Sequence, residues 1–138
     1  MPAIFPASTK GGGQCLGFPD VCLTPAPPAP PVPIPYPNIG MVNQAKKTST
    51  KVKFAGKDVV TKKSEISRSS GDEAGVNKGV MSGMNMDKVT FKKGSSKVKI
   101  QGQDCIHLTS MTGHNGSNAN MPAGAQIAPS QTKVLVAP

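Results

Sequence analysis

Nine prolines lie between Pro19 and Pro37 in the run FPDVCLTPAPPAPPVPIPYPNIG, residues 18–40, and no other stretch limits the backbone so severely. Each proline holds φ at roughly −65°, removes an amide donor and pushes the residue before it out of the α region. A helix is excluded here, and so is a central strand. What remains is a stiff extended strap of about 3 Å per residue. A proline tract can be a solvated linker or a ligand for an aromatic groove. Here Val32, Ile34 and Tyr36 alternate with Pro31, Pro33, Pro35 and Pro37, so one side of the strap is expected to pack.

The chain has 138 residues, no Trp, one Tyr and four Phe, beside fifteen Gly and fourteen Pro. That length suits one domain, yet large side chains are scarce, so burial must be completed by a partner surface or a metal. The charge has an address. Fourteen of sixteen basic residues and five of seven acidic ones fall between Lys46 and Lys99, which accounts for the whole net charge of +9. Such a balance admits a basic module that binds nucleic acid or an anionic surface. Lys51, Lys53, Lys97 and Lys99 also read as the outward partners of Val52, Phe54, Val98 and Ile100 on strands, and no helix-turn-helix or aromatic stacking platform accompanies the charge.

Residues 1–17 read as a flexible lead and 18–138 as one domain that opens with the strap. Lys51–Thr61 (KVKFAGKDVVT) forms two alternating runs around a glycine turn, the pattern of a β-hairpin. Lys97–His107 (KVKIQGQDCIH) repeats it without a gap. Repetition marks a unit that cannot bury its own face and stacks on its copies. A third copy is sought in Lys88–Phe91 or Lys133–Val136. Ser64–Lys78 and Met111–Pro122 read as loops, and Gln131–Val136 as a closing strand. The N-terminus is too short in apolar residues, and too interrupted by proline, for a secretory leader, and no run approaches a membrane span.

Three cysteines and two histidines, without a disulfide framework, leave inert thiols or a metal site. Cys105 and His107 are two apart on a strand and so face one side. Cys105 also aligns with Val59, as a small buried residue would, and His107 with Thr61, as a solvated one would. Cys15, beside a glycine run, is set aside. No paired carboxylates, nucleophile elbow or phosphate loop is present, so no enzyme is expected.

The hairpin repeat, together with FPDVCLTPAPPAPPVPIPYPN, resembles the PAAR-like proteins that tip the spike of type VI secretion and related contractile injection systems. The resemblance runs from about Phe18 to Val136. It implies a mainly β, cone-shaped fold of repeated hairpins with approximate three-fold internal symmetry. It also implies a structural tip that caps a trimeric β-helical spike of the valine-glycine repeat type, one cap per trimer. Such a tip sharpens the spike for puncture, meets the target membrane transiently, and can carry effectors or toxins. It would be made in the bacterial cytoplasm without a signal peptide and exported on the apparatus, with no specific nucleic acid as partner. The family holds one structural zinc near the point through His and Cys, which nominates Cys22, His114, Cys105 and His107. Val32, Ile34 and Tyr36 of the strap, with Val134 and Val136, become the expected partner-binding residues.

Overall fold

A computed structural model describes residues 4–138. Among the described residues there are thirteen strands: β1 (Phe5–Pro6), β2 (Gln14–Ala26), β3 (Ala29–Met41), β4 (Ala45–Lys46), β5 (Lys53–Phe54), β6 (Lys57–Asp58), β7 (Glu65–Ile66), β8 (Val89–Lys93), β9 (Lys99–Ile100), β10 (Gln103–Asp104), β11 (Met111–His114), β12 (Met121–Ala128) and β13 (Leu135–Val136), with one 3-10 turn at Val42–Gln44. The fold is mainly β. Seven strands form one antiparallel sheet in the order β3-β2-β12-β11-β8-β7-β4.

The proline run is not a lone strap but a hairpin, β2 against β3, with Cys22 opposite Ile34 and Thr24 opposite Val32. It escapes the rule against proline in sheets in two ways. β3 lies at the sheet edge. Alternate residues of a strand aim their amides to the same side, so Pro31, Pro33, Pro35 and Pro37 all face the free edge and leave Val32, Ile34 and Tyr36 for the ladder. β2 is an inner strand, contrary to expectation, and tolerates its prolines because the β2–β3 register shifts between Gly17 and Asp20, around Pro19, and between Thr24 and Ala26, around Pro25. β12 pairs only with its proline-free start, Gln14–Leu16.

From residue 4 onward the expected lead is part of the fold. Ala7, Ser8, Thr9 and Cys15 are fully buried, because the short runs on either side of the triple glycine find strand partners. The two expected loops also carry strands, β7 in the first and β11 with the start of β12 in the second; in β11 Thr112, Gly113 and His114 are all buried, so this short run shows no alternation of apolar and polar residues.

The two hairpins have matching registers, Lys53 opposite Asp58 and Lys99 opposite Asp104. Ala55 and Gly56, like Gln101 and Gly102, both take positive φ, the turn that suits a two-residue hairpin. A third hairpin-like pair closes the set from the two ends of the chain: β1 pairs with β13, Pro6 opposite Leu135 and Phe5 opposite Val136. Of the two places considered for a third copy, Lys133–Val136 therefore takes the position. The three thirds are joined by a closed ring of backbone hydrogen bonds. Ser8 N–H donates to Ile106 O at 2.8 Å, Ile106 N–H to Val60 O at 3.1 Å, and Val60 N–H to Ser8 O at 2.9 Å. A second ring repeats the relation through Lys10 to Asp58, Lys62 to Asp104, and Leu108 to Pro6.

Within these rings sits a core made of three layers of three: Val52, Val98 and Val134; Phe54, Ile100 and Val136; Val59, Cys105 and Ala7. Val136 and Val134 thus belong to this core, not to a partner surface, because strand alternation turns both inward once β13 has paired with β1. A second cluster of Cys15, Val42, Ala45, Val60, Ile66, Val89, Phe91 and Ile106 packs under the large sheet.

Candidate functional site

Asp20 is the only charged residue between Lys10 and Lys46, and the fold buries it completely. It stands two residues before Cys22 on β2, so both side chains leave the same face of the strand. The segment after β7 folds back over them and delivers Asp72, also fully buried. The carboxylates and the thiol lie together, with Cys22 Sγ 3.6 Å from Asp20 Oδ1 and 3.8 Å from Asp72 Oδ2. Glycine makes the approach possible: a Cβ on Gly75 would sit 2.3 Å from the Cβ of Cys22, which no side chain can accept.

Three asparagines enclose the cluster. Asn38 Nδ2 donates to Asp20 Oδ2 at 3.2 Å and to Ser69 Oγ at 2.9 Å. Asn115 Nδ2 donates to Asp20 Oδ1 at 3.2 Å and to Met84 O at 2.8 Å. Asn120 Nδ2 donates to the same carboxylate oxygen and to Val21 O. Asp72 Oδ1 is buried with no hydrogen-bond partner. Burial, then the neighbouring Asp20, pushes the Asp72 carboxyl up to about 7. Burial and then the two carboxylates push the Cys22 thiol up to about 12. Burial and the close approach of the three groups thus favour the protonated forms of Asp72 and Cys22.

His114 lies next to this cluster without joining it. Its ring is sandwiched between Gly17 and Gly124, where an added Cβ would come within 2.7 Å and 2.5 Å of ring atoms. Thr112 Oγ1 bonds one ring nitrogen, Nε2, at 2.8 Å, and Nδ1 donates to Asn38 Oδ1 at 2.7 Å. Asn38 Oδ1 can only accept, which assigns the proton to Nδ1. Burial pushes the imidazole down to about 4, so the ring is neutral and both nitrogens are engaged.

The four residues named from sequence do not converge on one ion. Cys105 is buried in the threefold core, in the place Val59 holds in the first hairpin. His107 is nearly buried, stacked on Phe5 with ring centroids 5.3 Å apart, and its Nδ1 lies 2.6 Å from Leu108 O. Among the described residues the one group of three metal-capable side chains is Asp20, Cys22 and Asp72. Sequence reasoning found Cys22 and missed both carboxylates. The isolated charge of Asp20 within an otherwise neutral stretch was the available signal.

A zinc ion, which the family resemblance implies, can be tested against this geometry. Zinc bonds of about 2.3 Å to sulfur and 2.0 Å to oxygen at a tetrahedral angle place sulfur and oxygen about 3.5 Å apart. The observed separations of 3.6 and 3.8 Å match that edge, and the unpartnered Asp72 oxygen is a free donor. Asp20, Cys22 and Asp72 therefore fit a divalent ion, which would supply the positive charge the cluster lacks. On the strap, Val32 is exposed, Ile34 is half-buried, and Tyr36 is half-buried with its hydroxyl 2.6 Å from Thr24 Oγ1.

The family model described as Toxin PAAR-like domain matches residues 13–122, a span that includes the proline hairpin, both repeated hairpins, the cluster and His114. DNase toxin Tse7 of Pseudomonas aeruginosa is 36% identical over 124 residues, covering 86% of this chain and 32% of that protein. The chain thus spans about a third of the length of this curated relative. No solved structure matches. With the family model covering most of its length, and a mainly β fold built on the strap and hairpins that carry the likeness, the chain belongs to the Toxin PAAR-like domain family.

Proposed function

We propose that the chain caps the spike of a type VI secretion or related injection apparatus, one cap per spike trimer, and travels outward on it with an effector. The observation that carries this reading is the closed threefold ring of Ser8, Val60 and Ile106 on a single chain. One polypeptide can meet three identical subunits only by presenting three like faces. The trimer in turn ends in open strand edges that a β cap can cover.

The reading includes one structural ion, zinc, at Asp20, Cys22 and Asp72. It would crosslink β2 to the loop after β7, where apolar burial is thin, and its binding energy would add to folding energy. Among the described residues no helix is long and apolar enough to cross a membrane.

Mixing the chain with a purified spike trimer tests the reading. A salt-resistant complex of one chain to three subunits supports it. No complex with the spike, together with a salt-labile complex with DNA, favours the basic-module reading instead. Elemental analysis should find one zinc per chain, lost in Cys22→Ser and kept in Cys105→Val and His107→Ala; no zinc in the purified protein overturns the ion. "DNase toxin" describes the whole relative. DNA cleavage by this chain would reassign it from carrier to toxin.

A further inference from the structure

The matching pair registers bring residues 49–54, 95–100 and 131–136 into correspondence, with 57–64, 103–110 and 5–12 as the segments that contain their partner strands. Across these positions only two residue types are the same in all three: Lys51, Lys97 and Lys133, and the valines that follow them, Val52, Val98 and Val134. The fold explains the valines, which form one layer of the threefold core. It does not explain the lysines. All three are exposed, and among the described residues none has a carboxylate partner.

The neighbouring charged positions behave differently. Lys53 is paired with Asp58 and Lys99 with Asp104, while the third member of that set is Leu135. The backbone at each lysine is also held. Lys51 N–H donates to Gln101 Oε1 at 3.3 Å, Lys97 N–H to Ser95 Oγ at 3.2 Å, and Lys133 N–H to Gln131 Oε1 at 2.7 Å. The next residue packs on the threefold core, while each lysine itself stays exposed.

We infer that Lys51, Lys97 and Lys133 form a ring of cations that docks onto a threefold ring of acidic side chains, one carboxylate from each subunit of the spike. The inference rests on the spike-capping reading and names the chemistry of the partner end. Nucleic acid is the less suited anion, because a phosphate backbone presents charge along a line and not around a threefold axis.

The test uses the full chain and the spike trimer, with Kd measured at low and at moderate salt for Lys51→Glu, Lys97→Glu, Lys133→Glu, the triple variant, and Lys57→Glu as an exposed lysine without threefold counterparts. Each ring variant should melt like the parent and weaken binding by a similar factor, roughly three- to fivefold, with the triple variant weaker by about 30- to 100-fold and the control changed less than about twofold. Charge reversal of the spike's terminal acidic residue should restore binding of the triple variant. A parent-like triple variant, or loss confined to one lysine, overturns the ring while leaving capping intact. Failure of the parent chain to bind the trimer overturns capping and the ring together, whereas triple-variant loss seen on DNA but not on the spike overturns the ring alone.

Discussion

Asn38 bonds two groups whose titrations pull stability in opposite directions. Its Oδ1 accepts from His114, and its Nδ2 donates toward Asp20 and Asp72. His114 falls from 6.5 to about 4 on folding, so between those values the folded chain binds fewer protons than the unfolded one and stability drops as pH falls. Asp72 rises from 3.8 to about 7, so the folded chain binds more protons across that range and stability drops as pH rises. Each slope is about 1.4 kcal/mol per pH unit, and over pH 4 to 6.5 they cancel. Removing one group exposes the other. With chelator present, Asp72→Asn should lose roughly 3 kcal/mol relative to the parent as pH is lowered from 6.5 to 4, and His114→Gln should gain a similar amount over the same interval. Urea midpoints at half-unit pH steps, compared as differences from the parent, measure both. Slopes of equal sign in the two variants, or no slope in either, would refute the protonation states assigned to this pair.

Three further perturbations address other parts of the molecule. Cys105→Val places in the second hairpin the residue its counterpart Val59 already holds, and should change stability by less than about 1 kcal/mol, whereas Cys105→Ser buries an uncompensated hydroxyl and should cost about 1–3 kcal/mol; thermal melts decide. Gly75→Ala drives a Cβ to 2.3 Å from Cys22, so it should destabilise by about 1–3 kcal/mol and reduce zinc retained per chain, and a parent-like melt and zinc content would contradict the closure described. Pro33→Thr with Pro35→Thr returns two amides to the free edge of β3 and should produce concentration-dependent association in sedimentation, while a variant that stays monomeric would remove edge protection as the reason for those prolines.

The two internal hairpins were legible because each is continuous in sequence: Val52 and Phe54, like Val98 and Ile100, alternate with lysines around a glycine, and alternation is a local property. The remaining third was only half visible. Its strands come from opposite ends of the chain, with no turn joining them, and Phe5–Pro6 resembles neither Lys57–Asp58 nor Gln103–Asp104. Pairing between distant segments is fixed by what the other two thirds leave unpaired, which no window of sequence contains. The carboxylate–thiol cluster was hidden for a related reason. Asp20 and Asp72 are 52 positions apart, and the loop that joins them in space is placed by glycines whose role is to have no side chain.

The two groupings differ in what holds them. In the threefold grouping nine apolar side chains pack together between three strand pairs. Around Asp20 there is no such filling: three asparagines, a histidine and two carboxylates are satisfied by one another, and Asp72 still has an oxygen without a partner. A polar network of that kind fixes geometry strictly but tolerates no missing member, since each loss strands a buried charge or donor. An ion that replaces protons there would stiffen the part of the fold least able to rely on hydrophobic burial. The threefold core needs no such help, because burial already orders it, and its exposed, identical lysines are free to serve recognition.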